Sequence, residues 1–223
     1  MTELRQRILF VLGSLVVFRI GTHIPVPGVD PAAVAAMFEQ TRGSIVDIFN
    51  MFSGGALKRL SILALGVMPY ISASIIIQMM SSIIPQLEQL KKEGESGRRK
   101  ITQYTRYGTV ALATFQALGI AIAIEGQQAA GGPVVLIPGI GFKITTVATL
   151  VTGTMFLVWL GEQISERGIG NGISLIIFGS IVAGLPSAVA GTLELARTGT
   201  FSPIGVLALF IGAIAITAAV VFV

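Results

Sequence analysis

Six stretches of the chain carry no charge, or almost none, over the length that a membrane helix needs. Residues 60–87 run for 28 positions without a charged side chain, residues 107–124 and 144–161 for 18 each, and residues 168–193 and 198–223 for 26 each. About 20 apolar residues cross the hydrocarbon of a bilayer, so each stretch predicts a transmembrane helix, with Gly and Pro trimming the starts of the last two. Residues 8–24 are a sixth and weaker candidate, because Arg19 lies inside it. Arg19 is close enough to the end of that helix for its long stem to carry the charge to the interface. No small-residue cleavage site follows MTELRQRILF, so a first membrane helix is expected there and not a removed signal peptide.

The pattern between the first two spans is more broken. Asp30-Pro31 predicts a helix start, with the carboxylate as cap and Pro at the first helical position, leading into a short amphipathic helix over 32–40. After Gly43, residues 45–52 (IVDIFNMF) are apolar apart from Asp47 and Asn50, and Gly54-Gly55 follows as a hinge. Eight helical residues cover only about 12 Å, so this stub cannot span. It is either an interfacial helix lying on the membrane or a movable element folded back into the protein, where non-spanning backbone is tolerated. Phe49, Met51 and Phe52 suit either reading. Pro69 falls inside the 60–87 run and predicts a kink there. Ser72, Ser74 and Gln78 follow it, polar groups that belong against protein or a water-filled path, or in close helix packing.

Composition narrows the class. The chain is 53% hydrophobic and 12% charged, about half the charge of a soluble domain. This is the balance of an integral membrane protein. No cysteine is present, which excludes disulfides, zinc-thiolate sites and Cys nucleophiles. The net charge of +4 matters through its placement. The 88–106 segment holds Lys91, Lys92, Arg98, Arg99, Lys100 and Arg106, and the N-terminal tail adds Arg5 and Arg7. The positive-inside rule puts both in the cytoplasm. The 125–142 segment has no cation and is expected outside, although Arg42, Lys58, Arg59, Lys143 and Arg197 fall on or near that side. The chain ends inside apolar sequence (AIAITAAVVFV), so it is expected to be part of a longer polypeptide.

Candidate chemistry is sparse. His23 is the only histidine, placed at the outer end of the first span. No P-loop occurs. The glycines of RGIGNGIS (167–174) predict a tight loop into the fifth span with Asn171 near its N-cap, not a nucleotide site. Glu162 and Glu166 are expected in that same cytoplasmic loop, which leaves the mid-membrane portions without an acid. This weighs against an ion-coupled carrier and against an enzyme.

Four strings, FNMFSGGALKR, LALGVMPYISASIIIQ, KKEGESGRRKITQYTRYGT and GTMFLVWLGEQISERGIGNGIS, resemble the SecY family, the channel subunit of the bacterial Sec protein-translocation pore. The resemblance runs from about Arg5 to Val223. It implies an all-α, polytopic transmembrane bundle, one side of a ten-helix clam-shell around an hourglass pore. Residues 1–193 would then be the N-terminal half, with spans 1 to 5 and a plug at about 45–55. Residues 194–223 would be an outer loop and span 6, the start of the second half.

Site roles follow only through that resemblance. Ile45, Ile48, Phe49, Met51, Phe52, Gly54 and Gly55 match the plug. Val67, Ile71 and Ile177 match the hydrophobic pore ring, where the family usually shows Ile. Ser72, Gln78 and Thr109 match the lateral gate. Lys91, Lys92, Arg98, Arg99 and Lys100 match a cytoplasmic surface facing the motor SecA. The implied partners are SecE, SecG, SecA or the ribosome, signal peptides, translocating polypeptides and the lipid bilayer, with no cofactor, no metal and no direct nucleic-acid recognition. The implied location is the bacterial plasma membrane with the N-terminus cytoplasmic. The family's helices 7 to 10 have no counterpart in this sequence and the N-terminal tail is short for the family, so this chain alone is not expected to conduct polypeptides. From the residues alone, half of a small-solute secondary transporter and a membrane scaffold that binds partner helices remain as alternatives.

Overall fold

The computed structural model describes residues 2–40, 50–129, 132–197 and 203–222. Helix α1 (Thr2–Gly21) is followed by α2 (Pro31–Gln40). Asp30 caps α2 as its sequence predicts, its Oδ1 accepting the amides of Ala32 at 2.8 Å and Ala33 at 3.4 Å. Next come α3 (Met68–Ile83), α4 (Pro85–Lys92) and the long α5 (Glu95–Glu125). Two short antiparallel strands, β1 (Gln128–Ala129) and β2 (Gly132–Pro133), pair Gln128 with Pro133. Helix α6 (Ile140–Arg167) then leads into α7 (Gly172–Arg197), and α8 (Pro203–Phe222) closes the chain. Asn171 Oδ1 accepts the amides of Ile173 and Ser174, the N-cap expected there.

The 60–87 run differs most from its sequence reading. Residues 53–67 form successive turns, not helix, and α3 begins only at Met68. Pro69 therefore sits in the first helical turn, where its missing N–H costs nothing, and starts a helix instead of kinking one. The backbone ahead of it cannot be helical, because Leu60 and Gly66 hold φ of 41° and 58°. At the other end Ile84 is extended (φ −92°, ψ 115°), the conformation a following Pro imposes, and α4 departs from α3 at 100°. In the basic 88–106 segment stand α4, a turn through Gly94 (φ 74°) and the start of α5. Glu162 and Glu166 lie in the last turns of α6 and not in a loop.

Among the described residues four helices are long and apolar enough to cross a membrane: Glu95–Glu125, Ile140–Arg167, Gly172–Glu194 and Gly205–Phe222. The bent α3–α4 pair counts as a fifth if it is one span. The expected first span is a helix, but Arg5, Arg7 and Arg19 fall in every 18-residue window of it. The chain is a multi-pass membrane protein.

Two compact units are present, Met1–Ile181 and Val182–Val223. In the first, α5 packs most extensively against α6 and α3. Its contact stripe is made of small residues four apart: Thr105, Thr109, Ala113, Ala117 and Ala121 are all buried, the three alanines fully. Such a stripe brings helix backbones close where water supplies no driving force. One core cluster joins α2 (Val34, Phe38) to this stripe and to Leu60, Val134, Phe142 and Leu150. A second gathers Phe18, Leu63, Val67, Leu157, Leu160, Ile164 and Ile176. The 53–67 segment threads between them, closely enough on α6 that a Cβ on Gly153 would run into the Ile62 carbonyl oxygen. In the second unit α8 is apolar throughout and exposed along its described length.

Gly153→Ala is expected to destabilise the bundle by about 1–3 kcal/mol through overpacking, read as a lower Tm of the detergent-solubilised protein. Gly119→Ala, whose Cβ would meet nothing within 4 Å, should not lower it.

Candidate functional site

Helix α3 has two unlike faces. Ile75, Ile76, Met80 and Ile83 are exposed on one, and the exposed Met79 sits at its border with the other. Ile71, Ser74, Gln78, Ser81 and Ser82 recur every three or four positions on the other and line an open cavity of about 1120 Å³. Tyr70 belongs to the same wall. Across the cavity, Ile101, Thr102 and Thr105 come from α5, and Asn171, Ile173, Ser174 and Ile177 from the start of α7. Lys91 and Arg98 supply its charge. The wall is otherwise hydroxyls, amides and aliphatic groups. Gln78 Nε2 donates to Ser74 Oγ at 3.1 Å, and Ser81 Oγ returns to the Gln78 carbonyl at 2.6 Å.

The structure sorts the residues singled out from sequence. Ile71 and Ile177, from different helices, share this cavity and pack partly against the second core cluster. Val67 is 4% exposed and lies within that cluster, behind the wall. Gln78 is on the wall. Ser72 is partly buried outside it, and Thr109 is fully buried in the small-residue stripe, its Oγ1 donating to the Thr105 carbonyl. Ile45, Ile48 and Phe49 lie outside the described residues. Met51 is exposed and Phe52 partly buried, at the end of a helical turn. Gly54 and Gly55 take φ of 67° and 83°, and their amides return to the carbonyls of Met51 and Asn50, the bonding of a left-handed helix stop.

The cytoplasmic candidates divide further. Lys92 pairs with Glu88 at 2.7 Å and Lys100 with Glu93 at 3.9 Å, all on exposed side chains. Lys91 is on the cavity wall, while Arg98 and Arg99 line a second cleft with Glu95, Thr102, Gln103 and Arg106.

Two interactions escaped the sequence reading. Arg106 makes a fork-like pair with Glu162, Nε to Oε1 at 3.1 Å and Nη2 to Oε2 at 2.7 Å, tying α5 to α6. Arg19 Nη1 donates to the Gly54 carbonyl at 2.8 Å. Neither pairing has a local signal, because the partners are 56 and 35 residues apart. The polar stripe of α3 did have one, in the spacing of Ser74, Gln78, Ser81 and Ser82.

The fold and this wall define an α-helical, multi-pass membrane protein. A family model named SecY matches residues 61–223. The protein translocase subunit SecY of Escherichia coli K12 is 59% identical over 221 residues, which are 99% of this chain and 50% of that protein. The SecY of Haemophilus influenzae is 56% identical over 223 residues, 99% and 49% of the two chains. The chain spans about half the length of the curated relatives it matches. A solved protein-conducting channel aligns over 96% of this chain and 42% of its own, with a TM-score of 0.57 and 17% identity. The Sec61 channel of a canine ribosome–channel complex from the endoplasmic reticulum gives the same values. At that identity the likeness concerns the fold. The chain belongs to the SecY family.

The Arg106–Glu162 pair should contribute about 1 kcal/mol, since its side chains are 47% and 24% exposed and solvent screens them. A double-mutant cycle with Arg106→Gln and Glu162→Gln, followed by thermal unfolding in detergent, reads that coupling.

Proposed function

We propose that this chain forms one side of a channel that passes unfolded secretory polypeptides across the bacterial plasma membrane and releases apolar helices into it. The observation that carries the reading is the cavity wall, which sets Ile71 and Ile177 among hydroxyl and amide groups with no acid along it. Aliphatic side chains make a narrow, deformable constriction that can gate by dewetting and that grips no sequence. Val67, Ile71 and Ile177 contribute to that ring, with Val67 backing the two isoleucines. Residues 45–55 act as the plug, and Ser72, Gln78 and Thr109 belong to the gate-side helices. Residues 1–193 form the first half of the channel and residues 194–223 the outer loop and first helix of the second.

The basic α4–α5 region, with Lys91, Lys92, Arg98, Arg99 and Lys100, faces the cytoplasm with the N-terminus and docks the SecA motor or the ribosome. SecE and SecG complete the assembly. The Sec61 relative seen in a ribosome–channel complex supports a ribosome partner. A signal peptide is an apolar helix whose favourable transfer to lipid biases the gate open, and no covalent chemistry is needed. Nothing among the relatives supports a small-solute carrier.

In the complete channel, Ile71→Asn or Ile177→Asn is expected to raise resting ion conductance in planar bilayers several-fold. Conductance equal to the parent's in both would overturn the ring assignment. Deleting residues 45–55 should leave membrane assembly intact and weaken discrimination against defective signal sequences. Loss of assembly would give the stub a structural role instead.

A further inference from the structure

Arg19 is a cation near the end of α1, after the uncharged run 8–18, and among the described residues its side-chain hydrogen bond leads to the segment that joins the stub to the 53–67 turns. Its own carbonyl is fixed by Thr22 Oγ1 at 2.7 Å, with His23 Nδ1 at 2.8 Å. The acceptor, Gly54, is the left-handed residue that ends the helical turn of Asn50–Phe52. Gly54 lies just past that turn, and its half-buried carbonyl needs a donor. A guanidinium placed there makes a charge-assisted bond, about twice as strong as a neutral one.

The same connector is held on its other sides. A Cβ on Gly54 would lie 3.4 Å from the backbone and side chain of Ser180, a buried residue of α7. Asn50 Oδ1 takes the Lys58 amide at 2.9 Å, and Ser53 Oγ bridges the Asn50 carbonyl to the Leu57 amide. These contacts belong to the turns that follow, or are packing. Among the described residues, Arg19 reaches the connector with a charge from α1, and a bond to one carbonyl can break without unpicking the turns.

We propose that Arg19 is a positioning residue that latches the 50–55 connector in its resting place, so that displacing the stub requires loss of the Arg19–Gly54 bond. The proposal rests on the plug reading of residues 45–55. Its test uses the complete channel with its partner subunits, and reads resting ion conductance in planar bilayers without a translocating chain. Arg19→Gln should raise that conductance on the order of tenfold, the population shift expected for losing one hydrogen bond to a charged group. Arg19→Lys keeps a charge and a donor on a long stem and should stay near the parent. In a channel that lacks residues 45–55, already leaky, Arg19→Gln should add nothing. Arg19→Met, which keeps the stem's volume without the charge, serves as a second variant if Arg19→Gln does not assemble, and should leak alike. Parent-level conductance of these neutral variants beside a leaky deletion overturns the latch and leaves the plug reading standing. A deletion that does not leak overturns the plug reading itself. An equal rise from Arg19→Gln with and without residues 45–55 shows that Arg19 acts elsewhere in the bundle and overturns the latch.

Discussion

Backbone that is not helical but lies among membrane helices must find every hydrogen-bond partner within the protein, because lipid offers none. The 53–67 segment is held to that condition, and much of the site depends on how it meets it. Leu60 gives its carbonyl to the Val26 amide and Ile62 its amide to the Ile24 carbonyl, each at 2.9 Å, so the loop after α1 is paired like an antiparallel strand. Within the segment, Ser61 bonds back to Ala56, Ala64 to Ser61 and Gly66 to Leu63. Ser61 Oγ also takes the Leu63 amide. With those groups satisfied the segment can be buried, and Leu60, Leu63 and Val67 join the core. The point where the turns stop and α3 begins then fixes which α3 residues reach the cavity.

Helix α3 begins there with a proline and ends before another, so the helix between them is 16 residues long. Its short length and its two-faced pattern have one consequence. The face of Ile75, Ile76, Met80 and Ile83 is exposed, while the Ser and Gln face opens on a volume that α5 and α7 also line. Helix α5 holds its place through small side chains, and α6 is locked to it by the alanine stripe and by the Arg106–Glu162 fork. The α5–α6 pair, 31 and 28 residues long, thus stands beside a shorter, proline-bounded α3.

What was legible in the sequence followed the range of the interactions. Asp30-Pro31 and Asn171 announced helix starts correctly because a cap acts within three residues. The apolar runs from 107 onward announced helices because length and hydropathy suffice for that. Pro69 was misread because proline in an apolar run has two meanings, kink or first turn, and the positive φ at Leu60 and Gly66 that selects the second is not visible in residue type at Leu60. The 88–106 charges were read for their side of the membrane, and their helical spacing went unread: Glu88 and Lys92 stand one turn apart and pair on a helix face. The assignment of Val67, Ile71 and Ile177 to one ring came from resemblance alone. Two of them line the cavity and the third lies behind it, a division that depends on where the turns end.

Arg19 illustrates the same limit from the side of electrostatics. A lone arginine in an apolar helix has two ways to avoid a costly desolvated charge, reaching the interface or finding an acceptor in the protein. Sequence favours the first, because the second needs an oxygen from a distant segment. The structure provides the second, with the Gly54 carbonyl as the acceptor. Each group resolves the other's deficit: the carbonyl gains a donor and the charge gains an acceptor. Removing either leaves a half-buried polar group without this partner, which ties the first helix to the connector after the stub.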